Sequence, residues 1–377
     1  MEEDFFDKEL RKFFSGSSQE DWKKMAIQET GEKEPFEFLS WQGKDGIRFL
    51  PYYDSIKDAQ RRFLRSSTGA TAPDSHTCIF RNVPRIKVST ERMANALALD
   101  HLMSGADGVL FDVRAIGDPD VKALINNIEW PYCSIGFRVS EKNSHALLEA
   151  LPQHMTRGTG PALLNGSLFW ESVPKKSDLK FYFEQCRKFY ALGLLIPESA
   201  PAVEISEALM QGVIAIENFS AGASTDHVFR SVAFSLPANA SFLQCAAKFR
   251  ALRILWWQVS RAYGIGQYSS QDLHIHARSE ATPDHSLGPH ENMLNGTFAA
   301  MAAVLGGCDS ITVEEEGTAA FVSRWARNVS SILREESFFD QANDPLAGAW
   351  AIDALTSDIA GKAWKLFQQK SKEYATT

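Results

Sequence analysis

Arg85-Ile86-Lys87-Val88-Ser89-Thr90-Glu91-Arg92-Met93-Ala94-Asn95-Ala96-Leu97-Ala98-Leu99-Asp100-His101-Leu102-Met103-Ser104-Gly105-Ala106-Asp107-Gly108-Val109-Leu110-Phe111-Asp112-Val113 is the stretch that decides the fold. Arg85 to Val88 is a short strand. Ser89-Thr90-Glu91 offers a helix start, and Met93, Ala96, Leu97 and Met103 recur at helical spacing until Gly105 stops the run. Gly108 to Val113 is the next strand. The same alternation continues outward, with strand candidates at 134–139, 164–169, 189–196, 231–236, 273–277 and 310–313 and helical stretches between them. Strands that alternate with helices imply parallel βαβ units with right-handed crossovers. Eight such units make an α/β (β/α)8 TIM barrel the leading topology, ahead of an open doubly wound sheet.

Upstream the pattern is different. Residues 1–65 are charged and hold too few apolar side chains for a core of their own, so they read as an N-terminal extended arm. Within it, a short helix opens at Asp21-Trp22-Lys23-Lys24 and ends at Gly31, and Gly46 to Pro51 alternates like a strand. Its aromatics (Phe13, Phe14, Trp22, Phe36, Trp41) suit interface anchors. A breaker-rich patch from Ser66 to Ser75 follows, and residues 66–377 form the barrel domain.

The chain has 377 residues, 44% of them hydrophobic, enough for one large barrel. A net charge of −8 argues against nucleic acid or an anionic membrane as the main partner. No apolar run reaches the roughly 20 residues of a bilayer span, and the acidic N-terminus is unlike a signal peptide. The five cysteines are scattered and odd in number, as expected of free thiols in a reducing, cytoplasmic setting.

No Gly-rich phosphate loop, HExxH, CxxC or GxSxG occurs. The densest polar cluster is Asp272-Leu273-His274-Ile275-His276-Ala277-Arg278-Ser279-Glu280, where strand geometry puts His274, His276 and Arg278 on one face. Two histidines at this spacing are compatible with a metal, but nothing nearby completes the ligand set, and polar groups at a barrel mouth are the better reading. Lys248, Arg250, Arg253 and Arg261 read as the solvated or interface side of a barrel helix whose buried stripe is Phe249, Leu252, Trp256 and Val259. Glu314-Glu315-Glu316 reads as a solvated strand-to-loop junction.

Several segments carry a family resemblance. Ala247 to Trp256, Asn292-Met293-Leu294 with Ala302 to Ser310, and Ala326-Arg327-Asn328 with Ile332 to Ser337 resemble the methylmalonyl-CoA mutase family. So do Asp344-Pro345 with Gly348, and Leu355-Thr356 with Lys362-Ala363-Trp364. Asp21-Trp22, Gly46-Ile47 and Pro51-Tyr52-Tyr53 are similar to that family's N-terminal arm, which wraps a partner subunit. The likeness covers nearly the whole chain and is strongest after Phe242.

The departures matter as much. The family's Pro-Tyr/Phe-x-Arg-Gly segment is missing from Thr71 to Ile79, and its Gly-Tyr-His motif is missing from Gly193 to Ala202. Its His-x-Gln-Thr-Ser becomes His276-Ala277-Arg278-Ser279-Glu280, with arginine for the substrate-facing glutamine. Asp74-Ser75-His76 and Asp284-His285 only approach its cobalt-ligating Asp-x-His-x-x-Gly, and the sequence stops where the cobalamin domain is expected to begin. Adenosylcobalamin supplies the radical for the family's carbon-skeleton rearrangement.

The resemblance therefore implies a small, non-catalytic, structural or regulatory subunit of a heterodimeric mutase, inactive alone. It binds no cofactor itself, and adenosylcobalamin is expected on the large catalytic partner. Its vestigial substrate pocket is expected at Arg230, His276 and Arg278. In the family the pantetheine tail of the acyl-CoA runs down the barrel axis past small side chains. Here Phe111, Phe137, Phe169 and Phe234 are expected to help fill that axis. Two rivals stay open: an acyl-CoA mutase barrel borrowing a cobalamin domain from a separate chain, and a module that binds acyl-CoA or a dicarboxylate.

Overall fold

The computed structural model describes residues 18–43, 46–54, 64, 80–155, 160–175, 178–279, 289–314, 320–342 and 344–376. Phe13, Phe14, the 66–79 stretch, Asp284-His285 and Glu315-Glu316 lie outside them.

The arm begins with α1 (Gln19–Thr30), capped by Ser18 through a reciprocal Ser18–Asp21 box and stopped by Gly31 in the left-handed region. Next come α2 (Pro35–Leu39) and a small hairpin of β1 (Trp41–Gln42) and β2 (Arg48–Phe49). Phe36 and Tyr52 each pack on Trp22, and Trp41 stacks on Phe49. Among the described residues of the arm, Ile47 and Phe49 join the main hydrophobic core, so the hairpin anchors the arm.

The barrel strands are β3 (Arg81–Asn82), β4 (Arg85–Lys87), β5 (Gly108–Asp112), β6 (Ser134–Val139), β7 (Asn165–Trp170), β8 (Phe189–Leu195), β9 (Val232–Pro237), β10 (His274–Ser279) and β11 (Ser310–Val313). All pair in parallel, in the order β3-β11-β10-β9-β8-β7-β6-β5-β4. β3 and β4 are two halves of one strand, interrupted at Pro84, which has no N–H to give. The first half bonds the last strand, through Arg81 N–H to Asp309 O and Val83 N–H to Ile311 O. The second half bonds β5, where Leu110 N–H donates to Pro84 O and Val88 N–H to Asp112 O. The sheet therefore closes on itself as an eight-position barrel, and each strand anticipated from the sequence is present.

The helices between strands are α3 (Glu91–Met103), α4 (Val121–Leu124), α5 (Ser144–Met155), α6 (Lys180–Gln185), α7 (Pro201–Ser220), α8 (Thr225–Arg230), α9 (Phe242–Ala262), α10 (Pro289–Leu305) and α11 (Ala320–Glu335), with α12 (Trp350–Thr376) packed on α7 and α9. The main core lies between strands and helices, and a smaller apolar cluster of Val83, Leu110, Phe169, Leu195 and Ala233 lies inside the barrel. Gly212 lets α7 approach α9, since a Cβ there would sit 2.6 Å from the Trp256 ring.

Three expectations need correction here. Phe111, Phe137 and Phe234 do not fill the axis. They face the helices, Phe111 stacked on Phe137 and Phe234 edge-on to Trp256, and only Phe169 belongs to the interior cluster. The basic residues of α9 are not a solvated face, Arg261 excepted. Lys248 is buried against Glu204 at 2.6 Å, Arg250 pairs with Asp344 and Asp353, and Arg253 donates to Gly307 O, Ser270 O, Leu273 O and Asp309. Glu314 is not solvated either, but paired with Arg85 in the barrel mouth. In the two charged cases a partner distant in sequence compensates a charge that composition alone assigns to water.

Candidate functional site: the barrel interior

Alternation along β10 points His274, His276 and Arg278 into the barrel, as the sequence implies, and pairing with β9 and β11 sets Ser235 and Thr312 beside them. Arg278 donates to Ser235 O at 2.7 Å, to Ser235 Oγ at 2.9 Å and to Ile196 O at 2.8 Å. Ser235 Oγ lies 2.7 Å from His276 Nδ1, and His276 Nε2 lies 2.9 Å from Thr312 Oγ1, which donates to Val83 O at 2.5 Å.

These contacts order the protons. Thr312 spends its hydrogen on Val83, so it accepts from His276 Nε2–H. Ser235 accepts from Arg278 and donates to the bare His276 Nδ1. His276 is therefore neutral. Burial, followed by the charges of Arg278, His274 and Arg138, holds its pKa well below the ordinary value. His274 stacks on Tyr190 at 4.5 Å and bonds Ser310 Oγ at 3.1 Å, and burial pushes its pKa down to about 4. Phe169 lies over the His276 ring at 4.9 Å. Gly193 makes room for it, because a Cβ there would lie 2.6 Å from the Phe169 ring.

Above this plug, at the C-terminal ends of the strands, sits a ring of charge. Arg85 binds both Glu314 and Asp112, Arg114 binds Asp112 and Glu171, and Arg138 Nη1 lies 3.9 Å from an oxygen of Asp112 and of Glu314. Burial, then Arg278, Arg85 and Arg114, pull the Arg138 pKa down to about 10. Burial would raise the Asp112 carboxyl, but the Arg114 hydrogen bonds and the three nearby guanidinium charges outweigh it and leave the pKa below the usual value.

The expected trio is only partly brought together. His276 and Arg278 share one network. Arg230 ends α8, before β9 begins, where it bonds Asp226 and Gly266 O at the other end of the barrel. The reading of the sequence missed Ser235, Thr312, Tyr190, Arg85, Asp112, Arg138 and Glu314. Arg85 and Arg138 had a usable signal: a charge next to the apolar, helix-facing Ile86 and Phe137 on a parallel strand, hence on its inward face.

The two histidines of the barrel interior do not fit a cobalt ligand. His276 commits both ring nitrogens to hydroxyls and is buried, and His274 lies in the same interior. Among the described residues, no three His, Cys, Asp or Glu side chains converge to hold a metal, and no helix is long and apolar enough to cross a membrane.

A closed parallel α/β barrel with a polar network across its axis defines the class. Residues 198–373 match the family model for methylmalonyl-CoA mutase. The methylmalonyl-CoA mutase small subunit of Porphyromonas gingivalis is 27% identical over 88% of this chain and 59% of that protein. The methylmalonyl-CoA mutase of Cereibacter sphaeroides is 23% identical over 92% of this chain and 57% of that one. The small subunit of Streptomyces virginiae is 33% identical over 45% of this chain and 28% of its own length. The chain is thus similar to methylmalonyl-CoA mutases, and it spans under two thirds of the length of these relatives.

Proposed function

We propose that this chain is a non-catalytic structural or regulatory subunit of a heteromeric, cytoplasmic, adenosylcobalamin-dependent methylmalonyl-CoA mutase, which interconverts methylmalonyl-CoA and succinyl-CoA. The large partner subunit carries the cobalamin and the chemistry, and this chain holds none. The observation that carries the proposal is the hydrogen-bonded line from Arg278 through Ser235, His276 and Thr312 to Val83, across the axis that an acyl-CoA tail would need. Threading a ligand there breaks the line and leaves buried hydroxyl and imidazole groups without partners, at a cost of roughly 1–3 kcal/mol for each. The names of the relatives add weight, since two of them are small subunits.

Co-expression with a full-length mutase bearing Asp-x-His-x-x-Gly tests the proposal. A stable heteromer with mutase activity is expected, while the chain alone is inactive and shows no corrinoid spectrum after desalting. Turnover by this barrel supplied only with a separate cobalamin-domain protein would make it an enzyme instead.

A second reading, an anion-binding module for an acyl-CoA or a dicarboxylate, is favoured by the ring of guanidinium groups at the mouth. Those groups are largely spent on Asp112, Glu171 and Glu314, which favours the structural role.

A further inference from the structure

Two helices of this barrel set large apolar side chains outward, away from the core. A surface helix ordinarily points its apolar stripe at the core. In α3 the inward side chains are Ala94, Asn95, Ala98 and His101, while Met93 is 68% exposed, Leu97 40% and Met103 88%. The orientation is pinned from inside: Asn95 Nδ2 donates to Leu124 O and Asn126 O, both at 2.8 Å, and His101 Nδ1 meets Arg327 at 3.3 Å. Rotating α3 to hide its methionines would strip those buried polar groups of their partners. In α10 the inner side is alanine (Ala299, Ala300, Ala302, Ala303), while Leu294 is 60% exposed and Phe298, one turn on, 48%. Between the two lies α11, held to α3 by Arg327 through His101 and Asp100 and set against α10 where Trp325 covers Gly296.

We propose that this three-helix face, with Met93, Leu97, Met103, Leu294 and Phe298 as its anchors, is the docking surface for the large mutase subunit. The inference rests on the heteromeric reading above and says where on the barrel the partner sits. The size of the face fits a protein. α10 is roughly 25 Å long, and helices spaced roughly 10 Å apart give an area of roughly 700 Å2, near the roughly 800 Å2 per partner of a standard interface. Charge argues against a second copy as the occupant, since two chains of net −8 repel.

The test compares wild type with Met93→Asp/Leu97→Asp and with Phe298→Asp, each co-expressed with the large subunit. Because these side chains are exposed, the melting temperature of the isolated chain should hold, while affinity for the large subunit falls by at least ~30-fold. Hydrogen exchange on the wild-type complex gives a readout free of substitutions: amides of 91–103 and 289–305 should gain protection. A wild-type complex that forms but tolerates both variants and leaves these helices unprotected overturns the docking surface and spares the heteromeric reading. Failure of wild type to form any complex overturns both. A self-dimer broken by the same substitutions overturns the choice of partner.

Discussion

His276 is held neutral by the order of protons around it, and that has a measurable sign. Burial, followed by neighbouring positive charge, keeps its pKa well below the ordinary value of 6.5, and brings His274 from the same 6.5 to about 4. The unfolded chain binds protons below about pH 6.5 that the folded interior refuses. The stabilisation is thus complete above that value and is lost as the pH falls through 6.5 toward 4, by up to about 1.4 kcal/mol per pH unit for each histidine. Urea unfolding between about pH 7.5 and pH 5 measures it. His274→Gln should flatten the slope, and an unchanged slope contradicts the assignment. Arg278 is tested by removal. Arg278→Met leaves Ser235 and the Ile196 carbonyl without their donor and should cost about 2–4 kcal/mol in the same titration. The inward placement of His276 and Arg278 was legible from strand alternation alone. Their partners were not, because Ser235 and Thr312 reach them only through the register of neighbouring strands.

Among the elements, α7 and α9 are joined by the buried Lys248–Glu204 pair, and Lys248 also donates to Pro237 O at 2.6 Å. Lys248→Met strands a buried carboxylate and should cost about 3–5 kcal/mol, whereas Lys248→Met/Glu204→Leu should recover most of that loss. Chemical denaturation of both variants decides it, and equal losses would deny the coupling. The sequence marked α9 as a helix with the correct buried stripe yet assigned its cations to water, since no local pattern places Glu204 beside Lys248. In α3 the periodicity located the helix but not its direction, because the stripe that defines it faces outward. The arm gives a further prediction. Deleting residues 1–40 removes α1 and α2 but spares the Ile47 and Phe49 anchors, so the barrel should keep its circular dichroism and most of its stability while association with the large subunit weakens. Loss of the folded barrel would make the arm part of its core.

At the scale of the molecule, the eight βα units were legible because each strand is a short apolar run set off by helix starts and glycines. The count of units also made the closed barrel the leading reading, but the way it closes was not legible, because one strand is broken at Pro84 so that its halves bond opposite neighbours. The charged mouth was hidden for a similar reason: Arg85 and Glu314 meet only because the first and last strands are adjacent in the closed ring. The proposed supporting role rests on the plug and the ring together closing the barrel axis, and the interior decides whether that is so. Isothermal titration of the isolated chain with methylmalonyl-CoA and succinyl-CoA puts the question most directly. No binding tighter than roughly millimolar, or about −4 kcal/mol, is predicted for either thioester, whereas a micromolar dissociation constant that weakens when His276 or Arg278 is replaced would contradict the closed interior and make this barrel a substrate-binding one.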